Sequence, residues 1–139
     1  FLVMGGVGNA LDDAALPANV TVTGYVEDGF EAHFDATDVA LNPMQSGGGT
    51  NIKLIDYFAR SLPVISTPFG ARGLDATLGE HLAVAELSAF SDAIRDLVDA
   101  PSRRRTLGRN ARDLAARAYT WEASSRQLRQ FVVEQFGPF

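Results

Sequence analysis

The chain reads as an α/β protein, a mostly parallel sheet with helices on both faces. Three observations predict this. Short apolar, β-branched runs alternate along the chain with amphipathic segments of helical spacing. Glycine-rich turns follow the runs at residues 5–8, 24–29, 47–49 and 70–73, where a strand would hand over to the next element. The 139 residues are 46% hydrophobic and 21% charged, enough for one core and ordinary for a globular domain.

In chain order, Phe1-Leu2-Val3-Met4 is the first strand, and Gly5-Gly6-Val7-Gly8 ends it. This turn invites a dinucleotide fingerprint. The third small position, however, is Leu11, and any following helix must close before Pro17, so a turn after a buried strand fits better. Asn19 to Thr23, with Val20 and Val22 alternating with polar residues, is the second strand. Tyr25 to Gly29 is a loop, and Phe30 with Phe34 marks a short helix burying one aromatic face. Val39 to Leu41 forms the third strand. After the glycines, Ile52, Ile55 and Phe58 stand three apart on a helix. Val64 and Ile65 begin another β-branched strand, which turns at Thr67 to Gly73.

Further on, His81-Leu82-Ala83-Val84 is a short strand. Ser91 caps a helix carrying Ile94, Leu97 and Val98 that closes near Pro101. Arg104 to about Tyr119 is the next helix. Thr120 caps the last one, whose apolar stripe is Trp121, Leu128, Phe131, Val132 and Phe136.

Composition excludes several classes of function. Without cysteine there are no disulfides, thiolate nucleophiles or cysteine-held metals. No apolar run reaches the roughly 18 residues of a membrane span, and no signal-peptide pattern opens the chain, so a cytoplasmic location is the default expectation. His33 and His81 are isolated, and no metal site is expected. Ser46, Ser61 and Ser66 lack a base placed by any hydrolase motif. Residues 1–99 carry four basic and 14 acidic groups, whereas residues 100–139 carry eight arginines and three acids. The cluster Arg103-Arg104-Arg105, Arg109 and Arg112 faces away from Leu107, Ala111, Leu114 and Ala115 at helical spacing, mostly a solvated face. With a net charge of -5, no nucleic-acid partner is expected.

The chemistry gathers on Gly47-Gly48-Gly49-Thr50-Asn51-Ile52-Lys53-Leu54-Ile55-Asp56-Tyr57-Phe58-Ala59. Glycines allow close backbone approach, and a helix start offers unpaired N–H groups with partial positive charge, a combination suited to phosphate. A plain strand-to-helix turn would use the same residues. Asp56 follows Gly49 by about two helical turns and so lies on the loop's side of the helix.

Together with Pro43, Lys53, Ser61-Leu62-Pro63-Val64-Ile65 and Gly70-Ala71-Arg72-Gly73-Leu74, this run resembles a known family. It is similar to the C-terminal, donor-binding domain of retaining glycosyltransferases with the two-domain GT-B fold, of the family 4 (group 1) type. The resemblance covers nearly the whole chain, and Trp121 after Thr120 also fits the family's last helix. It implies a Rossmann-like fold and a nucleoside diphosphate sugar as donor, with no metal or other cofactor. It implies diphosphate binding by Gly48, Gly49, Thr50 and Asn51, ribose binding by Asp56, and base contacts from the main chain of Tyr25 and Val26. No catalytic residue is assigned.

Two positions depart from the family pattern. Many members carry glutamates where this chain has Gly48 and Asp56. The family's diphosphate-neutralising Arg and Lys fall upstream of Phe1, a role that Lys53 could partly take.

The resemblance further implies that residues 1–139 are one domain of a longer enzyme, inactive alone, whose acceptor-binding N-terminal domain lies outside this chain. Any attachment to the periphery of a membrane would run through that other part. The family's first strand and helix would also be missing. The edges of Phe1–Met4 and Val39–Leu41 are then expected either to pair directly or to take a strand from a second copy, giving a strand-mediated homo-oligomer. A doubly wound binding or interaction module without transferase chemistry is the alternative.

Overall fold

In the computed structural model, residues 1–11 and 15–137 are described. Residues 12–14 of the short helix expected before Pro17 lie outside them. The chain divides into two units, residues 1–36 and 37–139.

The first unit is built on two parallel strands, β1 (Leu2–Met4) and β2 (Thr21–Gly24). β1 is exposed to half-buried rather than buried, and pairs with β2. A 3-10 segment, Gly6–Leu11, replaces the simple turn expected after β1. Gly5 N–H donates to Gly24 O at 2.7 Å and ties the two strand ends together. The short helix α1 (Phe30–Asp35) carries Phe30 and Phe34 edge-to-face, ring centroids 6.1 Å apart, but neither ring is fully buried.

The second unit holds the parallel sheet β3-β4-β5, formed by Ala40–Asn42, Val64–Ser66 and Ala83–Val84. Ala40, Leu41 and Asn42 pair with Val64, Ile65 and Ser66 in register. Side chains alternate across a strand, yet Val64, Ile65 and Ser66 are all buried, so the central strand β4 is covered on both faces. Each strand has its partner within its own unit: β1 bonds to β2 and β3 to β4.

Among the described residues, four α-helices complete this unit: α2 (Ile52–Ala59), α3 (Phe90–Val98), α4 (Pro101–Ala118) and α5 (Trp121–Phe136). Ile65, Ala83, Phe90, Leu97 and Leu107 form one core cluster joining the sheet to α3 and α4. On α4, Leu107, Gly108, Ala111, Leu114 and Ala115 are buried, at the spacing of one helical stripe.

Three expectations change. Ser91 is not a cap: α3 starts at Phe90 after a 3-10 turn, Leu87–Ala89, whose last residue occupies the N-cap. α4 starts at Pro101, whose missing N–H costs nothing in the first turn. Arg104 does not join the solvated arginines but turns back to donate to Leu97 O and Val98 O, closing the end of α3. Thr120 does cap α5, accepting from Ala123 N–H at 3.1 Å. Most of the expected stripe on α5 is exposed, however, with Trp121 88% and Phe136 77% accessible and Val132 half-buried, and only Ala123 of that helix is buried.

Gly108 fixes how α4 meets the turn before β4. A Cβ on it would stand 3.0 Å from the carbonyl carbon of Ser61 and closer still to its oxygen. Ser61 itself sits at φ 59°, in the left-handed region. Gly108→Ala in a helix interior would ordinarily stabilise by about 0.5–1 kcal/mol. Here overpacking reverses the sign, and urea unfolding should show a loss of roughly 1–3 kcal/mol.

Candidate functional site

The loop between β3 and α2 meets the turn after β4, both at the carboxyl ends of neighbouring parallel strands, where ligands of such sheets bind. Beneath the loop lies a chain of buried side-chain hydrogen bonds. Asn42, the last residue of β3, donates through Nδ2 to Ser66 Oγ at 2.9 Å, and its Oδ1 accepts from Asn51 Nδ2 at 3.0 Å. Ser66 Oγ donates onward to Thr67 O at 3.0 Å. Asn51 Nδ2 also approaches Gly70 O at 3.4 Å and Met44 Sδ at 3.3 Å.

The turn after β4 is tied into the same frame. Thr67 Oγ1 donates to Met44 O and accepts from Gly70 N–H at 3.0 Å, while Thr67 N–H donates to Asn42 O at 3.2 Å. Among the described residues, no buried side-chain nitrogen or oxygen is left without a partner.

Above this frame, Gly47, Gly48, Gly49 and Thr50 are exposed. Gly49 sits at φ 69°, which an L side chain adopts only with strain. Asn51 occupies the N-cap of α2, a position whose side chain commonly caps the first amides. Here that side chain points inward to Asn42 and makes no capping bond. Gly48, Gly49 and Thr50 thus lie at the surface, with Asn51 anchored below them. Asn51's side chain is spent on structure, so only its backbone is available to a ligand.

Lys53 is exposed on the first turn of α2. Asp56 follows one turn later, its side chain 48% accessible, with Oδ1 accepting from Arg60 Nε at 3.2 Å. An exposed i,i+4 pair of this kind contributes only about 0.3–0.5 kcal/mol, so the carboxylate can leave Arg60 at little cost. Burial, and then the Asp56 carboxylate, raises the pKa of the neighbouring Tyr57, which stays a phenol. Tyr25 and Val26 lie after β2 in the first unit, Tyr25 79% exposed and Val26 half-buried. His81 is buried and accepts from Thr77 N–H through Nδ1 at 3.0 Å, a structural role. Among the described residues, no three His, Asp or Glu come together as a metal site would require.

Sequence reading missed Asn42, Ser66, Thr67 and Arg72. Asn42 is the one with a signal: a polar residue ending an apolar strand, just before the proline and the glycines. Asn51→Ala removes the donor to a buried acceptor, Asn42 Oδ1. It should lower stability in denaturant unfolding by about 1–3 kcal/mol, although no apolar contact is lost.

The fold recurs in solved structures. Sucrose-phosphate synthase from Thermosynechococcus elongatus superposes with a TM-score of 0.75 at 23% identity, over 97% of this chain and 38% of that one. The Anabaena protein Alr3699/HepE in complex with UDP gives 0.78 at 12% identity, over 96% of this chain and 40% of that one. In sequence, an uncharacterized 44.6 kDa protein in the cps region of Klebsiella pneumoniae is 30% identical over 64 residues, which are 46% of this chain and 16% of that protein. This chain thus spans well under half the length of each of these relatives. The family model for glycosyl transferases group 1 matches residues 1–100, and the chain belongs to that family.

Proposed function

We propose that this chain is the donor-binding half of a retaining glycosyltransferase. It would hold a nucleoside diphosphate sugar while a hexose-type unit passes to an acceptor bound elsewhere in a longer, cytoplasmic protein. The observation that carries this reading is the exposed Gly47–Thr50 loop at the start of α2, with Asn51 turned inward so that its side chain does not cap the first amides. Those amides, with the positive end of the helix dipole, suit the diphosphate. A shared fold with a protein crystallised with UDP favours the same ligand class.

In this reading the loop acts most strongly as the bond to the sugar breaks and negative charge develops on the departing diphosphate. Fixed N–H donors need no reorganisation at that moment, and Lys53 adds a mobile positive charge. The proposal invokes no metal. Asp56, released from Arg60, would accept the ribose hydroxyls. Without its partner domain this chain would bind donor but not turn it over.

Calorimetric titration with UDP, GDP and ADP tests the reading directly, and the preferred diphosphate names the donor class. Failure of all three to bind would leave an interaction module instead. Asp56→Ala should weaken the preferred nucleotide by about 1.5–3 kcal/mol, the scale for a hydrogen bond to a charged group, while leaving inorganic pyrophosphate almost unaffected. Equal weakening of both would show that Asp56 does not act through the ribose.

Gly49→Val should abolish diphosphate binding, since a β-branched residue disfavours φ 69° and obstructs backbone approach. A Cβ at Gly49 meets no protein atom within 4 Å, so the fold should survive with a loss of about 1–2 kcal/mol. Normal nucleotide binding by the folded variant would remove the loop from the proposal.

A further inference from the structure

We infer that Arg72 is a positioning residue, a latch that holds the glycine loop against the turn after β4 and so sets the loop's amides for a diphosphate; this rests on the reading above. The guanidinium reaches across 25 residues of sequence, Nη2 donating to Gly47 O at 2.7 Å. Nη1 donates to Phe69 O at 2.9 Å, and the guanidinium carbon lies 3.6 Å from the Phe69 ring centroid. Two directed bonds and a stacked face leave the planar group a single orientation.

The two ends of this latch differ in how firmly they are held. On the Arg72 side, Ala71 N–H bonds to Thr67 O at 3.0 Å and Gly70 N–H to Thr67 Oγ1, and Thr67 is itself tied to Asn42 and Met44. On the other side, Gly47 to Thr50 make no backbone–backbone hydrogen bond among the described residues. Three glycines with no ladder of their own would sample many conformations, each a cost to a ligand that needs one of them. The Gly47 carbonyl is where the loop is gripped. Once that carbonyl points to Arg72, the peptide N–H of Gly48, in the same plane, is directed the opposite way. A guanidinium can bind two carbonyls and stack at once, whereas a lysine ammonium is a point charge on a flexible stem.

Nitrogen-15 relaxation on the ligand-free protein, paired with UDP calorimetry, tests the latch in Arg72→Ala, Arg72→Lys and Phe69→Leu. The heteronuclear NOE of Gly48 and Gly49 should fall in both Arg72 variants, with thermal unfolding and the remaining amide spectrum essentially unchanged. UDP affinity should drop on the order of tenfold in Arg72→Ala, the scale of ordering about one freed loop residue on binding. Arg72→Lys should drop as far, although its charge is kept. Phe69→Leu, which retains the carbonyl and loses the ring, should shift both readouts in the same direction by less.

Unchanged loop relaxation in the Arg72 variants would overturn the latch. So would wild-type UDP affinity in Arg72→Lys, which would mean that charge alone matters. If the wild-type protein binds no nucleoside diphosphate, the diphosphate reading fails on its own account, and the relaxation data still decide whether Arg72 holds the loop.

Discussion

The hydrogen bond from Asn51 Nδ2 to Asn42 Oδ1 is the constraint on which the site depends. It joins the end of β3 to the start of α2, the two elements on either side of the exposed loop. Both amides are withdrawn from solvent, Asn42 being 1% and Asn51 9% accessible. Buried polar groups cost free energy unless every donor and acceptor finds a partner, and a network in which all do is held to one geometry. Ser66, Thr67 and the Gly70 carbonyl supply those partners, so the ends of two strands, a turn and a helix start share one frame. Apolar packing around Leu54, Phe58 and Ile65 places the helices on the sheet, but it is non-directional and would not fix the angle of this loop.

The electrostatics follow from the same arrangement. Had Asn51 capped α2 with its own side chain, one of the first amides of the helix would be occupied. Turning the side chain inward leaves the amides of Ile52 and Lys53 to whatever meets them from outside, while Leu54 N–H bonds to Asn51 O at 3.0 Å. The acidic surroundings do not cancel this, because Asp56 sits a turn further along the helix and already faces Arg60. Helix-terminus effects fade within about one turn, so under the proposed function the helix start and the carboxylate would serve different parts of one ligand.

Much of the architecture was legible from residue patterns, for identifiable reasons. β3, β4, α2 and α4 show clear apolar periodicity, and the strand-to-helix boundary between β3 and α2 is set locally by Pro43 and the three glycines. The loop's place was legible because three consecutive glycines interrupt both the strand and the helical pattern. Where reading failed, the deciding partner was distant in sequence. Arg104 resembles its arginine neighbours until the end of α3 presents the Leu97 and Val98 carbonyls to it. Ser91 looks like a cap, but a 3-10 turn before it brings Phe90 into the core as the first residue of the helix. The stripe on α5 shows that the helix is amphipathic, while periodicity says nothing of what lies opposite. Trp121, Leu128, Phe131 and Phe136 remain at the surface.

The division between frame and loop explains why rigid and permissive residues alternate so sharply around the site. Asn42, Ser66 and Thr67 are buried and fully bonded, whereas Gly47, Gly48 and Gly49 are exposed, with no side chain and no ladder. A ligand-binding backbone must be approached closely, which favours glycine. It must also be preorganised, which glycine opposes, since every glycine has more conformational freedom to lose. The two demands are met together only if order is imposed from outside the loop. Here it is imposed at both ends, by Asn51 where the loop enters α2 and by Arg72 on Gly47 where it leaves the strand side. The glycines between can then stay bare, and the shape they hold is set by side chains that a ligand need never touch.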